Sequence, residues 1–275
     1  MTRRWLITGC SSGLGLALAE AVAAAGDTVL ATARKPAALA ELARRHPGQV
    51  LTAALDIRDQ AQVDEAVALA ADRFGGLDVL VNNAGSGLFG AVEEVADGEL
   101  RDQLETLVVG PWRLVRAVLP LFRAQGSGHV VNVSSLAGRM AFPGLGAYVT
   151  GKYALEGMSQ ALAAEVGPLG VRVSVVEPGG FATRYGASLA ETGRRIPAYA
   201  EQLAPMREAM RQMEDAPALN RPEYFADVVR RLVAAEQDTP LRVPVGPDAY
   251  GYLDQVEQAA RDELAAARAF TGLLD

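Results

Sequence analysis

Cysteine is almost absent. Cys10 stands alone among 275 residues, which excludes an internal disulfide and fits a reducing compartment. Histidine is nearly as rare: His46 and His129 are the only two, too few for a histidine metal centre or a Ser-His-Asp hydrolase. Both are expected to be solvated loop residues. No run approaches eighteen apolar residues, and "MTRRWLITG" leads straight into a strand, so no signal peptide, membrane helix or anchor is expected. Basic runs are missing too, and 26 Lys plus Arg against 33 Asp plus Glu leave a net charge of −7, which argues against a nucleic-acid partner. Lysine itself occurs only at Lys35 and Lys152; every other cation is arginine.

What is present is apolar and periodic. Half the residues are hydrophobic, ample for one large core, and the expectation is a cytoplasmic protein with a single domain over 1–275. Short β-branched runs at 5–8, 28–33, 50–56, 78–84, 129–135, 172–178 and 241–245 alternate with Ala-rich helical stretches such as 14–25, 60–73, 99–124 and 147–167. Strands this apolar are covered on both faces, which implies a doubly wound, Rossmann-like parallel α/β sheet with ligands at the carboxyl ends of its strands. Residues 184–220 contain no strand pattern. They carry Met206, Met210 and Met213 at helical spacing and are expected to form a substrate lid. A closing helix is expected over 247–270.

The first strand runs into "TGCSSGLG" and then a helix. Gly9, Gly13 and Gly15 supply a turn without side chains, where backbone N–H groups and a helix N-terminus can approach a pyrophosphate. Further on, "AYVTGKYAL" places Lys152 one helical turn beyond Tyr148, on the same face. A free phenol has a pKa near 10, and a neighbouring ammonium favours its phenolate. A lysine beside a tyrosine therefore suits general acid/base chemistry in a way that arginine does not.

These segments, in order and each at a strand end or helix start, resemble the short-chain dehydrogenase/reductase family. The glycine spacing, "NNAG" at 82–85, the Tyr148–Lys152 pair and "PGGFAT" at 178–183 carry the resemblance. "TGCSSGLG" is similar to its steroid and retinol branch. The resemblance implies an oxidoreductase with Ser135, Tyr148 and Lys152 as catalytic residues, Ser135 being chosen over Ser134 by its thirteen-residue distance from the tyrosine. It also implies cofactor contacts from Gly9, Ser11, Ser12, Gly13, Leu14, Gly15, Asp56, Asn82, Ala84, Gly85, Tyr148, Lys152, Pro178, Gly179 and Thr183. Where the family carries an acid at the end of the second strand, this chain has Ala33, then Arg34 and Lys35. Without a carboxylate to repel a 2′-phosphate, and with a guanidinium to grip it, NADP(H) is the expected cofactor.

One position departs from the pattern. Family members usually carry an asparagine in the long fourth helix, thought to hold a water that links the lysine to solvent; here Leu107 stands there and cannot hydrogen-bond. Thr106 beside it is one candidate to complete the relay. The alternatives are an active oxidoreductase with another proton route, a slow enzyme, and a cofactor-binding sensor or scaffold without turnover. Phe89, Met140, Phe142, Pro143, Leu145, Phe181 and Tyr185 are expected near the substrate, and no arginine is clearly aimed at a substrate carboxylate, Arg139 and Arg184 being the candidates. A bulky apolar ketone or secondary alcohol is therefore expected. Helices 99–124 and 147–167 resemble those through which family members form homodimers or homotetramers.

Overall fold

Alternation within the first strand sets the layering. In β1 (Arg4–Ile7), Trp5 and Ile7 belong to one core and Leu6 to the other, because successive strand side chains point to opposite faces. The computed structural model describes residues 2–213, 219–235 and 239–272. After β1 come α1 (Gly13–Ala24), β2 (Thr28–Ala33), α2 (Ala40–Arg45), β3 (Val50–Ala54), α3 (Gln60–Phe74) and β4 (Val79–Asn82). The second half holds β5 (Leu88–Phe89), α4 (Asp97–Leu104), α5 (Gly110–Gln125), β6 (Gly128–Val133), α6 (Gly146–Val166) and β7 (Val171–Pro178). It closes with β8 (Ala190–Glu191), α7 (Ala200–Arg211), α8 (Pro222–Ala234), β9 (Arg242–Val245) and α9 (Pro247–Thr271).

Seven strands form one parallel sheet in the order β3-β2-β1-β4-β6-β7-β9. On one face α1, α2 and α8 cover Trp5, Ile7, Val29, Val81 and Val131; on the other α3, α5 and α6 cover Leu6, Leu30, Leu80 and Val130. The doubly wound expectation holds. Strand order reverses between β1 and β4, so the loops after these two strands flank the crevice where such sheets bind ligands.

Three expectations need correction. The stretch 184–220 does contain a strand: β8 pairs in parallel with β5, Leu88 opposite Ala190 and Phe89 opposite Glu191. Two residues are too short for a periodic signal. Residues 214–218 of that stretch lie outside the described residues. The helix expected over 99–124 is interrupted by one π-helical turn, Glu105–Val109. It ends just before Pro111, which has no N–H to continue an α-helical ladder. Finally, His129 is not solvated. It is 2% exposed, its Nε2 lies 2.9 Å from Ser174 Oγ, and burial lowers its pKa to about 3. It opens β6 in the middle of the sheet, where strand neighbours on both sides exclude water.

Candidate active site

The glycine loop is held by tight packing. Gly9 and Gly13 have φ of +72° and +59°, conformations that favour a residue without Cβ. A Cβ on Gly15 would collide with Asn83 Nδ2 and stand 2.5 Å from the Gly9 carbonyl oxygen. Helix α1 then starts with no side-chain cap from Ser12 and no acid in its first turn. By contrast, α3 is capped by Asp59, which accepts from the N–H groups of Ala61 and Gln62. The uncapped positive end of α1 suits an anionic pyrophosphate. Ser11 is exposed, whereas the Leu14 side chain packs on the core, leaving its backbone to the loop.

The "NNAG" segment braces this loop from β4. The Asn83 backbone N–H and the Ala84 N–H both donate to Thr8 Oγ1 at 3.0 Å, and Asn83 Nδ2 donates to the Thr8 carbonyl at 2.8 Å. Asn82, expected at the cofactor, turns its side chain inward. It is 3% exposed and donates to Asn132 Oδ1 at 2.8 Å, and Asn132 in turn donates to Ser159 Oγ. Alternation along β4 points Asn82 into the protein, away from the crevice. Gly85 is exposed beyond it.

Across the crevice lies the segment after β7. A Cβ on Gly13 would stand 3.5 Å from Thr183 Cβ, so the glycine loop and Thr183 face each other at close range. The loop is clamped by a residue that sequence reasoning missed. Asp248, in the first turn of α9, accepts from the Gly180 N–H at 2.7 Å and from Asn220 Nδ2 at 2.7 Å. Asn220 also donates to the Gly180 carbonyl at 2.8 Å. Gly179 has no room for a side chain beside Asp248. Pro178 ends β7 in register with Val245.

At the end of β2, Arg34 is exposed and no acid flanks it. Its charge is felt at Asp56, whose carboxyl lies below its usual range chiefly through hydrogen bonds from Arg58. Asp56 is thus largely occupied by Arg58.

Tyr148, Lys152 and Ser135 come together as expected. Lys152 Nζ sits 5.6 Å from the centre of the Tyr148 ring and donates to the Val133 carbonyl at 2.8 Å. Ser135 Oγ accepts from the Ala137 N–H at 3.1 Å and bears on the Tyr148 phenol. The electrostatics differ from expectation. Burial pushes the Tyr148 phenol above its ordinary value, and the Ser135 and Tyr185 hydroxyls only partly pull it back. Lys152, over the ring, is itself lowered to about 8 by burial, with the Glu156 charge opposing. A dry site disfavours both charged forms. Ser134, by contrast, is 3% exposed and its Oγ has no hydrogen-bond partner among the described residues.

Leu107 is 1% exposed and packs between Gly85 and Gly151, the residue before Lys152. Thr106 does not turn toward this site: its hydroxyl donates to the Asp102 carbonyl within its own helix. Above Tyr148, the Tyr185 ring lies 5.7 Å away, and Phe89, Leu145, Leu203, Met206 and Met210 complete an apolar cluster. A cavity of about 170 Å³ opens beside it, lined by Phe89, Leu189, Glu191, Arg207 and Met210 among others. Two expected pocket residues fall elsewhere: Phe181 packs edge-on against Phe225 in the sheet core, and Arg139 pairs with Glu177 and Glu257. Arg184 is exposed, and Met140 packs with Leu136, Ala249 and Leu253.

Comparison with known proteins agrees with this geometry. The family model for short chain dehydrogenases matches residues 3–194. The oxidoreductase BOA17 of Botryotinia fuckeliana is 40% identical over 266 residues, covering 96% of each chain. A crystal structure of a short-chain dehydrogenase from Streptomyces avermitilis superposes with a TM-score of 0.91 at 42% identity, covering 100% of this chain and 98% of that one. More distant structures differ in cofactor. A metagenomic short-chain oxidoreductase in complex with NADP has a TM-score of 0.71 at 27% identity, over 89% and 97% of the two chains. A 3-ketoacyl-(acyl-carrier-protein) reductase from Brucella melitensis complexed with NADH has 0.76 at 28%, over 88% and 96%. Matched by the family model over residues 3–194 and by relatives over nearly its whole length, this chain belongs to the short-chain dehydrogenase/reductase family and is an oxidoreductase of that type.

Proposed function

We propose that this protein transfers a hydride between NADP(H) and the carbonyl or secondary alcohol of a bulky, largely apolar substrate. The observation that carries the reading is the convergence of the Tyr148 phenol, the Ser135 hydroxyl and Lys152, in a chain whose first helix starts uncapped after a glycine loop. The dinucleotide, when bound, supplies or takes up the hydride. The start of α1 and the loop N–H groups hold its pyrophosphate, and Thr183 closes the crevice from the other side. Arg34, exposed just past the end of β2 and with Ala33 and Lys35 as its chain neighbours, favours a 2′-phosphate. Ser135 orients the substrate oxygen, and Tyr148 gives or takes its proton. Burial that raises the phenol keeps Tyr148 protonated at neutral pH, which suits the reducing direction. Phe89, Leu145, Met206 and Met210 exclude water and receive an apolar body. On the outer faces of α5 and α6, Trp112 and Tyr153 are exposed, which supports pairing of copies through these helices as a homodimer or homotetramer.

NADPH absorbance is followed with a panel of bulky apolar ketones, with Tyr148→Phe as control. Turnover lost with Tyr148→Phe is the expected result. NADPH binding without turnover across the panel overturns the reading in favour of a cofactor-binding sensor, the alternative that Leu107 raises.

A further inference from the structure

The cluster around Tyr148 is not apolar throughout. Helix α7 lays Leu203, Met206 and Met210 on it, and beside Met206 it carries Arg207. The Arg207 guanidinium carbon stands 5.1 Å from the centre of the Phe89 ring, which is fully buried. Arg207 Nε is itself buried and has no hydrogen-bond acceptor among the described residues. Glu191 Oε2, at 3.8 Å, is too far to accept. Glu191 is committed elsewhere: Arg195 donates to its Oε2, and Arg211 to its Oε1 at 3.1 Å. Glu94, whose charge also reaches Arg195 and Arg207, accepts from the Ala91 and Ile196 N–H groups, one with each oxygen.

The cavity of about 170 Å³ lies against this arginine. Phe89, Leu189 and Met210 give it an apolar wall, and Arg207, Arg211 and Glu191 a charged one. The apolar three also belong to the cluster that contains Tyr148. Gly186, which lines the cavity too, follows Tyr185, whose ring is 5.7 Å from that of Tyr148. Charge decides what such a space accepts. Arg207 and Arg211 against Glu191 leave one positive charge over, and adding Arg195 and Glu94 behind them leaves the same surplus. A wholly apolar ligand would keep the buried Nε–H without an acceptor, which is unfavourable. A carboxylate supplies that acceptor, matches the planar fork of a guanidinium and cancels the surplus. A phosphate monoester would overshoot it. Arg211 already ties β8 to α7 through Glu191, and Arg207 Nε adds no hydrogen bond to that tie.

We propose that the substrate is an acid as well as a ketone or alcohol: its apolar body lies along Phe89, Leu189 and Met210, and Arg207 and Arg211 hold a carboxylate at its far end. This rests on the hydride-transfer reading above and narrows the substrate class to a long oxo- or hydroxy-carboxylic acid. No bond changes at the carboxylate; Arg207 and Arg211 set specificity and take no part in the chemistry. Of the two arginines that the sequence offered, Arg139 is paired and Arg184 exposed, so the anion site falls to two others, both on α7.

Two measurements on the full-length protein test this. Calorimetry compares decanoate with decanamide, a neutral ligand of the same shape, neither of them a ketone or secondary alcohol. Decanoate is expected to bind roughly tenfold or more tightly than the amide. The preference is expected to fall toward unity in Arg207→Met, which keeps an unbranched apolar stem over Phe89 but has no donor, and to return in part in Arg207→Lys. Glu191→Gln is expected to tighten decanoate, because a competing carboxylate has gone; weaker binding there would make the cluster a structural brace and overturn the site. In turnover, NADPH absorbance is followed with straight-chain oxo-fatty acids that differ in the spacing of ketone and carboxylate, and with their methyl esters. The acid of best spacing is expected to show a lower KM than its ester, with the difference lost in Arg207→Met. Equal binding of decanoate and decanamide, a preference untouched by Arg207→Met, or reduction of the esters as readily as of the acids overturns the carboxylate site. Decanoate held through Arg207 while no ketone of either series is reduced instead sinks the hydride-transfer reading and leaves the anion site standing, so the two failures are told apart.

Discussion

Replacing Asp248 by alanine isolates what holds the far wall of the cofactor crevice. Its carboxylate accepts two hydrogen bonds, each at 2.7 Å, from the Gly180 N–H and from Asn220 Nδ2. Bonds to a charged acceptor contribute about 1.5–3 kcal/mol each, the lower end applying to a partly exposed cluster. A carboxylate in the first turn of α9 adds about 0.5 kcal/mol through the helix dipole. Asp248→Ala is therefore expected to cost about 3 kcal/mol, or roughly 6–12 °C in melting temperature for a chain of this size. The loop does not come apart entirely, because Asn220 still donates to the Gly180 carbonyl at 2.8 Å and Gly179 N–H to Val245 at 2.9 Å. It loosens, and with it Thr183 opposite Gly13. Affinity for NADPH should drop by about tenfold, which corresponds to 1.4 kcal/mol. Asp248→Asn falls between: its amide oxygen can still accept from Gly180, but its NH₂ opposes the NH₂ of Asn220. Thermal unfolding by circular dichroism and NADPH titration by fluorescence measure both quantities. Were Asp248→Ala to melt within a degree of the parent and bind NADPH as tightly, the clamp would be irrelevant and the geometry misread.

Two further expectations follow from single residues. Arg34→Ala should raise the KM for NADPH by roughly tenfold or more and leave that for NADH nearly unchanged, since only the 2′-phosphate loses a guanidinium; equal effects on both cofactors would remove the argument for NADP(H). His129 is held neutral at about 3, below the 6.5 of an unfolded histidine, so the unfolded chain binds one more proton between those values. Its contribution to stability is complete above pH 6.5 and is lost as pH falls toward 3, at up to about 1.4 kcal/mol per pH unit. Denaturant midpoints at pH 7.5 and 5 should show a smaller difference in His129→Gln than in the parent; an equal difference would place the acid sensitivity elsewhere.

How legible this protein is from its sequence depends on the range of the interactions involved. The seven long strands and the parallel sheet follow from local β-branched runs, and Tyr148 and Lys152 share a face because four residues make one turn. The glycine loop is equally local: its φ values and its close approach to Asn83 need residues without Cβ, and only glycine qualifies. What could not be read is contact between distant segments. Asp248 lies 68 residues beyond Gly180, and nothing in "GPDAYGY" marks the aspartate as a clamp. Glu156 reads as an ordinary charged helix position until Arg242 and Glu177 are placed against it. Asn82 and Asn83 are adjacent and chemically identical, and only the pleat of β4 decides which turns inward. The phenol's raised pKa is illegible for the same reason: pairing is local, but desolvation depends on everything that covers the site.

The leucine at position 107 is where these two scales meet. A chain that had merely lost a hydrogen-bonding residue there would be expected to keep the space its water filled. Instead both neighbours are glycine: a Cβ on Gly85 would stand 3.0 Å from Leu107 Cδ2, and one on Gly151 would stand 2.8 Å from Leu107 Cδ1. Even alanine would crowd the leucine at either place, and a water has no room between them. Leu107 therefore fills this space with apolar carbon, beside the residue that precedes Lys152. Burial of the site is what lowers Lys152 to about 8 and raises Tyr148. An ammonium lowered to about 8 gives up its proton more readily than one near 10.5, so the dryness of this site bears directly on the proton chemistry of Lys152.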